Sequence, residues 1–407
     1  MKPLLLLPLL LIASSLIANN NWNTFRGPTG IGNADGKVPT QWSDKSVKWQ
    51  IQLPGTGQSS PVNWGNKLFL TSASGNGSVR SVLCIDKDKG ETIWRKDIPC
   101  QNPEEVHKMN SHATPSCATD GERVVAFFGP AGLHCFAADD GKKLWSRTDL
   151  GDFPGSWGIA GSPIFLDDAV IQNCDSTGPS YLLAVDKNTG KTIWKTERET
   201  KPRGGWSTPI LIDTGKRKEI VLNGEFGVKG YSAKSGEELW FCKSFNGRGS
   251  PIPYYANGLV YTVNGKPGDI YVVKAGGSGD VTKTHMAWHA KRKGGRDLPS
   301  PAVIGEYCFV TAMGGTTCCY DAKTGDLIWA DRLDGAFSGS PLVANGLYYV
   351  QSESGTTYVI KPGKTMKVVA TNSIPAKQGE IFRAPLSPIG GDIFIRSSST
   401  LYCVKGS

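Results

Sequence analysis

No apolar run in this 407-residue sequence reaches the roughly 20 residues that a helix needs to cross a bilayer. The one extended run, about 14 residues inside MKPLLLLPLLLIASSLIA, follows a single early Lys and ends among small residues, the anatomy of a secretory signal. Residues 1–18 are therefore read as a signal peptide cleaved near Ala18, with no transmembrane segment in the mature chain. Histidine is scarce, with five residues in all. His285 and His289 would pair on a helix, but THMAWHAK reads as a strand, where that separation is too long for one ion, so no metal site is expected. No nucleophile elbow, phosphate loop or Ser/His/Asp order occurs. The acidic pairs Asp139-Asp140 and Asp167-Asp168 lie beside turns, where Asp caps its own backbone.

Neither charge nor cysteine supplies a simple class. The net charge is +9, spread along the chain with denser spots at Lys216-Arg217-Lys218 and at Lys291-Arg292-Lys293 with Arg296. Stacking aromatics do not accompany these spots in one groove, so they are read as solvated loops and no nucleic-acid partner is expected. The ten Cys residues would lie in an oxidising compartment if the chain is exported. Cys84, Cys135, Cys318, Cys319 and Cys403 recur in equivalent strand-like segments, however, as small buried residues would. The adjacent Cys318-Cys319 pair should point to opposite faces of a strand and stay unlinked.

What the sequence has in abundance is glycine and tryptophan, 50 and 12 residues, and they recur in register. LCIDKDKGETIW, HCFAADDGKKLW, LAVDKNTGKTIW, KGYSAKSGEELW and CCYDAKTGDLIW each place a Gly four residues before a Trp. An apolar strand, a short polar stretch ending in Gly and a second apolar strand make a hairpin whose Gly takes the positive-φ position. The repeated indole then pins neighbouring units together. Trp94, Trp145, Trp194, Trp240 and Trp329 are assigned this docking role. A unit around Trp288 has a longer turn with the Trp displaced, and YVIKPGKTMKVVATNSI has none.

A small residue followed by Pro precedes each unit, from Ser60-Pro61 and Thr114-Pro115 to Ser340-Pro341 and Ala384-Pro385. Eight such markers at blade-like spacing predict eight four-stranded antiparallel blades. The last unit stops after LYCVK, and VKWQIQL, carrying Trp49, has an outer-strand pattern with no inner strands before it. Pairing the two closes the ring and removes both open edges. The expectation is an all-β, eight-bladed propeller over residues 47–407, closed by an N-terminal strand. Residues 19–46 are read as a loop segment packing on it, anchored by Trp22 and Phe25.

The repeats resemble those of the pyrroloquinoline-quinone (PQQ)-like β-propeller family, whose A-x-D-x-x-T-G-x-x-x-W motif is matched most fully by LAVDKNTGKTIW and CCYDAKTGDLIW. That resemblance implies one of two functions. One is a PQQ- and calcium-dependent dehydrogenase of alcohols or sugars. The other is a non-catalytic propeller similar in size to the BamB-like outer-membrane assembly factors, although no lipobox Cys follows the leader.

The loops leading into the inner strands supply Gln58, His112, Trp206, Arg248, Arg296 and Arg383. This is a polar, cationic and aromatic set at the axis, with no catalytic pair and no calcium cage among them. The reading that follows is a monomeric, exported binding or assembly scaffold, periplasmic or secreted, without a cofactor. Its partner would be an envelope protein or an anionic polymer.

Overall fold

Alternation of buried and exposed residues in short strands, punctuated by turn glycines, can bury a core only by stacking unit on unit. In the computed structural model, which describes residues 21–200, 204–244, 249–263, 268–295 and 298–406, the result is a closed ring of eight four-stranded antiparallel blades. The segment read as a signal peptide lies outside the described residues. Blade one runs Val62–Trp64, Lys67–Ser74, Val79–Asp86 and Thr92–Pro99 from the axis outward. Blade eight runs Ser387–Ile389, Asp392–Arg396 and Thr400–Val404, and its outer strand is the N-terminal Val47–Gln52, paired antiparallel with Thr400–Val404.

One irregularity recurs in every blade: the outer strand carries a one-residue bulge just before the docking position. A bulge bends its strand and re-aims the following side chain. Here it leaves Ile93, Leu144 and Ile193 exposed and turns the next residue, a Trp, onto the neighbouring blade. Opposite these indoles stand small residues: Cys84 faces Trp94, Cys135 faces Trp145, Ala184 faces Trp194, Cys319 faces Trp329 and Cys403 faces Trp49. Several cysteines are thus spacers beneath an indole. All ten are buried and unbonded, and Cys318 and Cys319 sit on successive strand positions. Burial pushes the thiols of Cys84, Cys135, Cys319 and Cys403 up to about 12.

The docking geometry is the same across most blade junctions. Trp145 donates Nε1–H to the Lys187 carbonyl at 2.8 Å, and its ring covers Gly190, whose φ is +70°. Trp49, Trp94 and Trp329 donate in the same way to Lys87, Ala138 and Gly363. In three of the turns the motif Asp caps the loop: Asp86, Asp186 and Asp321 accept from the backbone N–H groups two and three residues on.

Two junctions depart from the expectation. Trp288, displaced in sequence, docks in the standard way on Gly325 and the Ala322 carbonyl. Trp240 does not: its Nε1 donates to Glu219 within its own blade at 2.7 Å, and its ring folds back over Gly230. The next blade has no matching turn to receive it. Its longer turn instead sends Gly279–Asp280 back to pair, parallel, with Trp240 and Phe241, so backbone pairing substitutes for an indole. Blade seven has no Trp, and Trp42 from the N-terminal segment fills the core that it shares with blade eight.

Of the basic spots, Lys216, Arg217, Lys218, Lys291 and Lys293 are exposed as expected, Arg292 is not, and Arg296 lies outside the described residues. The guanidinium nitrogens of Arg292 are buried, and Arg217 bridges Glu219 and the Gly277 carbonyl.

Trp145→Ala is expected to lower unfolding free energy by about 3–5 kcal/mol. The same change at Trp194, which is half-exposed, should cost less. Denaturant titration checks both, and a loss under about 1 kcal/mol at Trp145 would show that the indole does not dock. Deleting Val47–Gln52 reopens two strand edges and is expected to abolish cooperative melting of the whole ring. A sharp transition at the parent temperature would count against closure.

Candidate functional site

In a propeller the innermost strand of each blade leaves one edge facing the axis, and its backbone N–H groups need partners. Here side-chain hydroxyls of the next blade provide them. The N–H of Ser60 donates to Ser116 Oγ, that of Ser116 to Ser162 Oγ, and that of Ser162 to Thr208 Oγ1, at 2.8–3.0 Å. Ile252 N–H donates to Ser300 Oγ and Ser300 N–H to Ser340 Oγ. The small-residue-Pro markers are thus a chain of hydroxyl staples around the axis. In blade two the staple is Ser116, after the proline, and not Thr114 before it.

From the opposite face the N-terminal segment enters this channel. Its backbone is held by Asn63, Thr119 and Val343, and its side chains by the Pro163 carbonyl, from Thr24, and the Pro341 carbonyl, from Arg26. Asn33–Ala34 then adds as a parallel strand to the inner edge of blade seven. Phe25 joins the lining of a cup of about 180 Å³ that lies among the leading loops.

Of the six residues expected at this rim, Gln58, Trp206 and Arg383 line the cup. His112 does not: its Nε2 bonds the Glu104 carbonyl and its ring lies over Gly77, which holds it in a neighbouring cleft. Arg248 and Arg296 lie outside the described residues. Three residues that the sequence reading left out, His107, Asn110 and Trp157, join the lining. His107 packs on Trp157 at 4.5 Å and Trp157 meets Trp206 edge-on at 6.3 Å, forming an aromatic wall. Trp206 is fixed by Nε1–H to the Gly158 carbonyl, and Asn110 donates to the Trp157 and Ile159 carbonyls. The signal that could have found them is the length of the loops NPEEVHKMNSHA and GDFPGSWGIA ahead of blades two and three.

Two buried ion pairs position segments around the cup. Arg80 holds Glu104 at 2.6 Å and also donates to the His112 carbonyl, pinning the insertion that carries His107 and Asn110. Arg198 grips Asp175 through Nε and Nη2 beneath the loop that carries Trp206. At the rim, Arg383 spans from Glu353, at 3.0 Å, to the Lys108 carbonyl, also at 3.0 Å. Burial alone would raise the Glu353 carboxyl, but the Arg383 and Ser338 hydrogen bonds outweigh it and hold the group below the usual carboxylate range. Arg26 and Arg396 are buried by protein atoms, and burial lowers them to about 10 and about 9.

The lining does not suit a quinone–calcium pair. A hard cation takes about six to eight oxygen ligands, carboxylates among them. No described residue lining the cup is acidic, and both oxygens of Glu353 are engaged by Arg383 and Ser338. No group of three His, Cys, Asp or Glu side chains among the described residues is placed to hold a metal. The cup is also smaller than the ~300–1,000 Å³ of common cofactor pockets.

Comparison with known proteins gives relatives of both kinds. The polyvinylalcohol dehydrogenase of a Pseudomonas species is 26% identical over 237 residues, 48% of this chain and 35% of that one. The outer membrane protein assembly factor BamB of Alkalilimnicola ehrlichii is 28% identical over 185 residues, 45% of this chain and 42% of that one. The chain thus spans less than half the length of either relative. The crystal structure of BamB from Moraxella catarrhalis superposes with a TM-score of 0.62 at 12% identity, covering 88% of this chain and 99% of that one, a likeness of fold alone. A family model described as outer membrane protein assembly factor BamB matches residues 34–172, 178–279 and 226–395, most of the chain. By that match, together with its eight blades and their docking tryptophans, the chain belongs to the BamB family of propellers.

Proposed function

We propose that the chain is a non-catalytic, extracytoplasmic binding propeller, with the axial cup and its surrounding loops as the ligand-facing surface. The observation that carries this reading is the described lining: aromatic, hydroxyl and amide groups around an Arg383–Glu353 pair that neutralises itself, with no carboxylate left to act as base or cation ligand. A rigid ring whose loops vary without disturbing the blades suits a scaffold. In this reading the protein is exported and acts as a monomer without a cofactor. Its partner is an envelope protein, in keeping with the family, or an anionic polymer.

The dehydrogenase relative favours a second reading, oxidation of an alcohol or sugar with bound PQQ and calcium. A single experiment separates the two. PQQ and Ca²⁺ are added to the purified protein, and thermal unfolding and dye-linked alcohol oxidation are both recorded. The expected outcome is no shift and no turnover. Stabilisation of about 2.7 kcal/mol at a hundredfold excess over the dissociation constant, with dye reduction, would establish the dehydrogenase instead.

A further inference from the structure

The insertion ahead of blade two folds as a loop whose two ends are held together. Arg80, on the strand Val79–Asp86 of blade one, donates to the Glu104 carboxylate at 2.6 Å and to the His112 carbonyl at 2.8 Å. The His112 ring in turn bonds the Glu104 carbonyl at 2.9 Å. The Arg80 and Glu104 side chains are 0% and 2% exposed. Separating them would leave an uncompensated buried charge, so residues 104 and 112 are fixed to the blade. Residues 105–111 between them carry no helix or strand and form a closed surface loop of the Ω kind.

The tip of this loop is held quite differently. A turn from His107 to Asn110 is closed by the Asn110 N–H on the His107 carbonyl at 2.7 Å. It puts His107, Met109 and Asn110 into the lining of the cup and leaves Lys108 exposed. Neighbouring loops tie it down. Gln58 donates to the Met109 carbonyl at 3.2 Å, Arg383 to the Lys108 carbonyl at 3.0 Å, and Asn110 to the Trp157 and Ile159 carbonyls at 2.7 and 3.1 Å. The tip thus bridges the segments that lead into blades one, three and eight. Each tie is a hydrogen bond to a neutral carbonyl in a part-buried or exposed setting, so water can take its place at small net cost. Arg383 keeps Glu353 when it releases Lys108, and no charge is stranded.

We propose that residues 105–111 are a lid of the cup, pinned at both ends by Arg80, latched at the tip by Arg383 and Gln58, and able to open while the blades stay packed. Opening withdraws His107, Met109 and Asn110 from the lining and parts the His107 ring from Trp157. The lid follows from how the loop is anchored; its use as a gate for a partner rests on the binding-propeller reading.

Lys108 supplies the test. It is the one Lys or Arg in residues 101–112, and the bond that follows it lies inside the tied turn. Proteolysis needs a locally opened chain, and when closing outpaces cleavage the rate of cutting reports the open population. The full protein and its variants are digested briefly with dilute trypsin. The cut after Lys108 is quantified by mass spectrometry against all other tryptic sites, and melting temperatures are recorded alongside. Arg383→Ala is expected to speed this cut about fivefold or more, and Gln58→Leu about threefold or more, as the loss of one hydrogen bond implies. Other sites should keep the parent rate, and melting should stay within about 4 °C of the parent. Because Arg383→Ala strips Glu353 of its partner, the double change Arg383→Met with Glu353→Gln repeats the test without an orphaned carboxylate. The nicked chain is expected to keep both pieces together and to melt as the intact one does, since residues 104 and 112 remain clamped.

The proposal is overturned if either latch can be removed with the Lys108 cut at the parent rate. A cut that rises only in step with every other site, which marks general unfolding, or a nick that unfolds the ring, overturns it as well. Turnover in the PQQ assay would instead overturn the binding-propeller reading and leave the lid standing.

Discussion

The ring depends on one contact repeated around it: an indole from the outer strand of one blade laid over a turn glycine of the next. Three features combine in the contact. A bulge aims the Trp sideways, a small residue such as Cys84 or Cys135 leaves room beneath it at most junctions, with Val272 opposite Trp288 the exception, and a glycine at positive φ lets the next blade approach. At Gly190 an added Cβ would meet Trp145 ring carbons at 2.8 and 2.9 Å. The indole N–H then bonds a turn carbonyl, so a large apolar surface is buried with its one polar group satisfied. Where one requirement is missing the ring finds another solution, with the strand Gly279–Asp280 beside Trp240 and with Trp42 beside blade seven.

Closure outside creates a problem inside. Eight inner strands converge on an axis where their free edges cannot pair as sheets, and the hydroxyls of Ser116, Ser162, Thr208, Ser300 and Ser340 take the exposed N–H groups. Three of these residues, Thr208, Ser300 and Ser340, also border the cup. Phe25 joins the cup's lining, and the buried pairs Arg80–Glu104 and Arg198–Asp175 fix the segments that carry His107 and Trp206. The chemistry available at the axis is therefore a by-product of how the blades satisfy their own backbones.

Blade number, strand content and the closing strand at Trp49 were determined by the sequence itself, because they rest on local patterns at fixed spacing: Gly before Trp, small residue before Pro, and an orphan outer strand matched to a missing one. The cup was only half legible. Gln58, Trp206 and Arg383 sit next to repeat markers and could be placed by register, whereas His107, Asn110 and Trp157 lie in long loops whose path is set by contacts with other segments, among them the Arg80–Glu104 pair and the Asn110 bonds to the Trp157 and Ile159 carbonyls. His112 was read into the rim from its position before blade two, but a hydrogen bond to Glu104 draws it aside. Trp240 carries the Gly–Trp spacing of the other docking units, yet its orientation depends on a turn in the following blade. The place of Phe25 in the cup's lining is likewise a long-range packing choice. Periodicity fixes what each repeat must do for itself, and only the assembled ring decides what its irregular segments can reach.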